Sequence, residues 1–181
     1  MERRDLYQVA EKYKSKLDKI KVALFDVDGI LTDGKLYYSG GEIGYNRFFN
    51  ARDGYGLKVL KEAGIKVGII SGGNSIGVRE RFQENLKLDY IYMGNEDKRE
   101  AYKEIISLGY TSEEILYMGD EFFDLPLLEV AGFSASVPQA GIEIRNAVDY
   151  VTEANAGDGS AREVIDILRY AQGIVPKVSK L

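Results

Sequence analysis

Residues 20–34 read IKVALFDVDGILTDG. A short apolar run, Ile20 to Val27, carries two aspartates at its end, Asp26 and Asp28, with Gly29 directly behind them. Such a run, bounded by glycine, is the pattern of a fully buried strand. Side chains alternate along a strand, so residues two apart point the same way. The spacing therefore predicts two carboxylates facing one site. Two unit charges about 4 Å apart at an effective dielectric near 20 interact by about 4 kcal/mol, so the pair calls for a cation between them or a shared proton. Taken alone, the Asp-x-Asp pattern also arises in solvated acidic turns.

Downstream, similar short apolar runs alternate with helix-period segments. Strands are predicted at Ile65–Ile70, Asp89–Met93, Ile115–Met118, Phe133–Val137 and Asp149–Thr152. Helices are predicted near Tyr55–Ala63, Ser75–Asn85, Lys98–Leu108, Asp124–Ala131, Ile142–Asn146 and Ala161–Ala171, with an N-terminal helix over about 2–18. Strands alternating with helices predict an α/β fold, a doubly wound parallel sheet with right-handed crossovers. No repeat or low-complexity linker divides the chain, so 1–181 reads as one domain. Lys35–Phe49 (KLYYSGGEIGYNRFF) breaks the rhythm with two aromatic-rich runs around Ser39-Gly40-Gly41, a hairpin signal. It leaves the first strand where ligands sit in open α/β sheets, so it reads as a flap over the site or an interface.

Composition narrows the chemistry. The chain has 181 residues, 45% hydrophobic and 29% charged, as in ordinary globular proteins. Its net charge of −5 argues against a nucleic-acid surface. No apolar stretch approaches a membrane span, and the charged N-terminus lacks a signal-peptide core, so the cytoplasm is the expected address. Cysteine and histidine are both absent. That excludes disulfides, thiolate nucleophiles, Ser-His-Asp triads, histidine phosphoenzymes and His-ligated zinc. What remains is carboxylates, Lys, Arg, hydroxyls and a hard, oxygen-ligated metal, which favours Mg2+.

Three further clusters close the next three strands. Ser71-Gly72-Gly73-Asn74 offers a hydroxyl and free backbone N–H groups before a helix, a cradle for an anion or simply a capped turn. Lys98 stands at a helix start against the dipole preference, which suits an anion at the strand ends. Asp120 and Asp124, in Gly119-Asp120-Glu121-Phe122-Phe123-Asp124, are four apart and can both reach the strand-end crevice, or can cap the helix.

The order Asp/Asp, Ser, Lys, Asp/Asp resembles the haloacid dehalogenase-like phosphatases. DVDGILTDG, FFNARDGYGLKVLKEAGIKVGIISG, YMGDEFFDLPLLEVAG and GDGSAREVIDILRYAQG further resemble the 3-deoxy-D-manno-octulosonate 8-phosphate phosphatases, with nonulosonate 9-phosphate phosphatases as near relatives. The resemblance implies a Rossmann-like core with a hairpin flap at about 35–49, no large cap domain, and a homotetramer. It implies Asp26 as nucleophile forming an aspartyl-phosphate, and Asp28 as general acid and then base. Mg2+ would be held by Asp26, the Asp28 backbone carbonyl and Asp120, with Asp124 completing or orienting the shell. Ser71 and Lys98 would grip the phosphoryl group beside Gly72. Asn50, Arg52, Asp53, Gly54, Lys58 and Arg81 match positions near the sugar acid, with Arg52 or Arg81 meeting its carboxylate. Two departures stand out: many members carry Thr-Gly-Arg where this chain has Ser71-Gly72-Gly73, and Gly-Gly-Arg-Gly or Gly-Gly-Glu-Gly where it has Ala156-Gly157-Asp158-Gly159.

Rival readings are a phospho-receiver module and a scaffold. A receiver needs its phospho-accepting aspartate on a middle strand, whereas the third strand here ends in Met93-Gly94-Asn95. A scaffold needs none of the catalytic positions, all of which are present. A broader sugar phosphatase or a phosphomutase would use the same core groups.

Overall fold

The computed structural model describes residues 4–178. Its central strand is β1 (Val22–Phe25), every residue of which is buried. The hairpin strands follow, β2 (Tyr37–Tyr38) and β3 (Tyr45–Asn46), and then β4 (Lys66–Ser71), β5 (Tyr90–Met93), β6 (Ile115–Met118), β7 (Phe133–Ser136) and β8 (Tyr150–Val151). Six of these form one parallel sheet in the order β5-β4-β1-β6-β7-β8. The chain therefore winds outward from β1 in both directions, and β1 is where the order reverses. Loops leaving the carboxyl ends on either side of it splay apart and open a crevice there.

The helices are α1 (Leu6–Lys12), α2 (Lys14–Leu17), α3 (Ala51–Glu62), α4 (Ile76–Arg79), α5 (Arg99–Ser107), α6 (Leu125–Leu128), α7 (Ile142–Ala147) and α8 (Ser160–Ala171). One group packs α1, α2 and α3 on α8, and another packs α5 and α7 on α6. Between them the sheet buries Leu24, Phe25, Ile69, Ile70, Tyr117 and Phe133 almost completely. At roughly 1.5–3 kcal/mol for each large apolar side chain, this layer dominates the fold's stability.

The six predicted strands and their parallel order are all present. Several boundaries differ, each for a local reason. The helix expected over about 2–18 breaks at Tyr13 (φ −105°, ψ 12°), and its residues 2 and 3 lie outside the described residues. Helix α3 starts four residues before the expected Tyr55, because the Asn50 side chain accepts from the Arg52 N–H at 2.9 Å and caps it there. Past Arg79, α4 continues as a wider π-type turn, Glu80–Asn85. A single 3-10 turn, Phe122–Asp124, leads into α6, whose second residue is Pro126. The hairpin is real but pairs only Tyr37 with Asn46 and Tyr38 with Tyr45, and its turn spans 39–44.

Candidate active site

Strand β1 stops at Phe25, and the chain then makes a wide turn over Val27–Leu31. Asp28 (φ −83°, ψ 112°) and Gly29 (φ 95°) are non-helical inside that turn. Gly29 is required twice over: its φ is left-handed, and a Cβ there would lie 2.1 Å from Asp120 Oδ2. The expectation of two carboxylates side by side on a strand therefore needs correcting. Asp26 lies buried at the bottom of the crevice and Asp28 part-exposed at its mouth, because strand geometry ends at Phe25 and the alternation rule with it.

Asp26 is almost fully buried, and its N–H donates to the Met118 carbonyl at 2.9 Å, which ties β1 to β6 at the crevice. Lys98 Nζ lies 2.6 Å from Asp26 Oδ1 and 2.6 Å from Asp124 Oδ1, with all three side chains 3% exposed or less. Sequence reasoning set Lys98 at a helix start; it is the residue that caps α5, and its side chain runs inward. Tyr117 O–H also donates to Asp124 Oδ1. The other Asp124 oxygen accepts the N–H groups of Asp120 and Glu121, both at 3.1 Å. Asp124 is thus held by four donors.

Asp120 is the contrast. Its Oδ1 is buried with no hydrogen-bond partner. One carboxylate oxygen from each of Asp26, Asp120 and Asp124 falls within 4.8 Å of the others. Three carboxylates against one ammonium leave a deficit that a divalent cation matches, and the unpartnered Asp120 oxygen lies where such a cation would satisfy it. Burial, with the charge of Asp124 next, pushes the Asp120 carboxyl up to about 7. Burial likewise raises Asp26 well above the usual carboxylate range, with Lys98 opposing it. An oxygen-only set of this kind fits Mg2+. The Asp28 side chain is outside the cluster; only its backbone carbonyl remains for the metal role expected of it.

At the mouth, the Asp28 carboxylate is gripped by Arg47, with Nε donating to Oδ1 at 2.5 Å and Nη2 to Oδ2 at 2.7 Å. Ser71 ends β4 with its hydroxyl buried, accepting from the Gly73 N–H at 3.1 Å. Gly72 beside it faces Glu96. The part-exposed ring of Phe123 has its centre 4.5 Å from Lys98 Nζ.

The residues expected near a sugar acid are less uniform. Asn50 Nδ2 donates to the Gly157 carbonyl at 3.2 Å. Asp53 accepts the Arg162 N–H at 2.7 Å and so caps the first turn of α8; its other oxygen is buried without a partner. Burial pushes its carboxyl up to about 6. Arg52 lines a groove with Arg4, Asp158 and Arg162 that includes none of the aspartate cluster. Arg81 donates to Asn85 at 2.8 Å and lies against Gly54, where a Cβ would come within 2.1 Å of it. Lys58 is exposed and lies 3.7 Å from Glu62. The structure therefore brings Asp26, Asp28, Ser71, Lys98, Asp120 and Asp124 to one crevice, and leaves Lys58, Arg81 and Asp53 engaged with other groups.

Sequence reasoning missed Arg47, Tyr117 and Phe123. Arg47 was visible as a basic residue inside the aromatic run of the hairpin, and Tyr117 as the polar end in an otherwise apolar strand. Nothing local marked Phe123.

Comparisons with known proteins point to one family. A family model for haloacid dehalogenase-like hydrolases matches residues 87–164. The chain is 38% identical over 162 residues to the 3-deoxy-D-manno-octulosonate 8-phosphate phosphatase KdsC of Haemophilus influenzae, covering 88% of each chain. It is 36% identical to KdsC of Escherichia coli K12, covering 88% of this chain and 84% of that one. Among solved structures, that of the Moraxella catarrhalis 3-deoxy-D-manno-octulosonate 8-phosphate phosphatase, in complex with magnesium, phosphate and KDO, superposes with a TM-score of 0.84 at 35% identity. That match covers 90% of this chain and 93% of the other.

Proposed function

This chain belongs to the 3-deoxy-D-manno-octulosonate 8-phosphate phosphatase family of haloacid dehalogenase-like hydrolases, and from that premise we propose that it releases phosphate from 3-deoxy-D-manno-octulosonate 8-phosphate. The observation that carries the reading is the buried Asp26–Lys98–Asp124 chain beside the unpartnered oxygen of Asp120.

Asp26 is the nucleophile. Its oxygen bonds to phosphorus as the bond from phosphorus to the sugar oxygen breaks, leaving an aspartyl-phosphate. Asp28 gives its proton to the departing sugar oxygen, then takes one from the water that attacks phosphorus and frees Asp26. Lys98 and the Ser71 hydroxyl face the phosphoryl oxygens and offset charge as it develops. Asp26, Asp120 and the Asp28 carbonyl would hold Mg2+, with Asp124, fixed by its four donors, completing or orienting the set. The bound ion supplies Lewis-acid polarisation of the phosphoryl group. Asn50 and Gly72 are the remaining contacts proposed for the sugar, with Arg52 reaching it only from the neighbouring groove and Gly54 covered by Arg81.

The same reading has the chain working in the cytoplasm as a homotetramer, supported by the exposed aromatic face of the hairpin at Tyr38, Tyr45 and Phe48. No helix among the described residues is long and apolar enough to cross a membrane.

A phosphate-release screen tests the substrate. Octulosonate 8-phosphate, nonulosonate 9-phosphates and hexose phosphates are compared by kcat/KM, with the octulosonate expected first. Preference for a nonulosonate would move the assignment to that neighbouring family, and a flat profile would reduce it to a general sugar phosphatase.

A further inference from the structure

Arg47 is not used by the chemistry above, yet it is the best-held charged group at the mouth of the site. It stands one residue past β3 at the base of the hairpin, and its side chain is 4% exposed. Two of its donors fork onto Asp28, and Nη1 donates to Ser75 Oγ at 2.7 Å. The Thr32 hydroxyl, shared with the Val27 carbonyl at 3.2 Å, also lies 3.3 Å from Asp28 Oδ1, and Arg47 alone engages both carboxylate oxygens. Glycine at position 73 leaves the guanidinium uncrowded on that side. A Cβ there would lie 3.2 Å from Arg47 Nη2 and 3.3 Å from Asp28 Oδ2.

We propose that Arg47 is the specificity-determining residue of this site, a guanidinium that rests on Asp28 and exchanges that carboxylate for the one carried by the sugar-acid leaving group. The inference rests on the sugar-acid reading above. A planar guanidinium fork binds a carboxylate by geometry, whether the carboxylate belongs to a side chain or to a ligand. The two are the same chemical group, so a sugar acid that its phosphoryl contacts already hold in the site offers Arg47 an equivalent fork partner. Asp28 must reach the ester oxygen, which makes the leaving group a neighbour of Arg47. With the fork closed, neither Asp28 oxygen is free to turn toward that oxygen. An anionic leaving group opens the fork and frees Asp28. A neutral sugar leaves it closed, so selection happens at the proton donor itself.

The test is a ratio of two kcat/KM values on the magnesium-loaded enzyme, one for octulosonate 8-phosphate and one for a hexose phosphate lacking a carboxylate. In Arg47→Met the ratio is expected to fall about 10- to 100-fold, the worth of one charge-assisted bidentate contact, through a loss on the sugar acid together with a gain on the hexose phosphate, for which Asp28 is no longer held. Arg47→Lys keeps the charge without the fork and should recover only part of it. Gly73→Val, which crowds the guanidinium without removing it, should lower the ratio in the same direction. Melting curves report whether each variant is folded, and Gly73→Val keeps the question open to test if Arg47→Met is not. An equal change on both substrates, or an unchanged ratio, overturns the inference while leaving the sugar-acid preference of the wild type intact. A wild type with no such preference removes the sugar-acid reading itself, and this inference with it.

Discussion

Lys98 lies 2.6 Å from two carboxylates at once, and the whole arrangement is closed to solvent. Buried charges of this kind persist only when each is paired and hydrogen-bonded, so the residues act as a unit. Asp26→Asn keeps the volume and the acceptor for Lys98 but removes the attacking carboxylate. The purified variant is expected to fold and to lose turnover by at least about 1,000-fold, read as phosphate release. Full activity would end the nucleophile assignment. Asp53 gives a pH prediction away from the metal cluster. Its folded-state carboxyl sits at about 6, above the ordinary value of 3.8, because burial disfavours the charge. A raised carboxyl contributes stability that is present below about 4 and lost as pH rises through about 6. Asp53→Asn keeps an acceptor for Arg162 N–H without that charge. It should therefore be more stable than the wild type at pH 7, by on the order of 2 kcal/mol, and the gap should close by pH 4 in paired melting curves.

At the scale of elements, the turn after β1 is the piece that separates the two first-motif aspartates. It depends on Gly29, whose left-handed φ and contact with Asp120 leave no space for a methyl group. Gly29→Ala should destabilise the fold by about 1–3 kcal/mol and displace Asp120, lowering turnover well beyond the stability loss. Thermal melting with kinetics on the folded fraction separates the two effects; unaltered kinetics would show that Asp120 does not depend on this turn. Helices α3 and α8 show a second coupling between elements. Asp53 in the first turn of one caps the first turn of the other, and Asn50 reaches the Gly157 carbonyl in the loop before it. The segment 50–54 therefore joins helices far apart in sequence.

For the whole molecule, the unmatched charge of Asp26, Asp120 and Asp124 makes metal binding a property of stability as well as of rate. Mg2+ at about 100 times its dissociation constant should stabilise the fold by about 2.7 kcal/mol, seen as a rise in melting temperature that chelator reverses. Asp120→Asn should abolish most of that rise, and chelation should abolish turnover; undiminished rates in excess chelator would overturn the metal assignment. Much of this architecture was legible beforehand. Apolar runs of strand length alternating with helices dictate a parallel sheet, because each run needs cover on both faces. The absence of histidine and cysteine leaves carboxylates and a hard metal as the available chemistry. Their order along the chain placed Asp26, Ser71, Lys98 and Asp120 at one edge. The partners of each were not legible, since pairing depends on which side chains the loops bring within 3 Å. Asp26 and Asp28, two apart in the motif, were expected to face one site. Only the tertiary structure parts them: a glycine-dependent turn ends the alternation, Asp26 is drawn to Lys98, and Asp28 is left to Arg47, which approaches from 19 residues away along the chain.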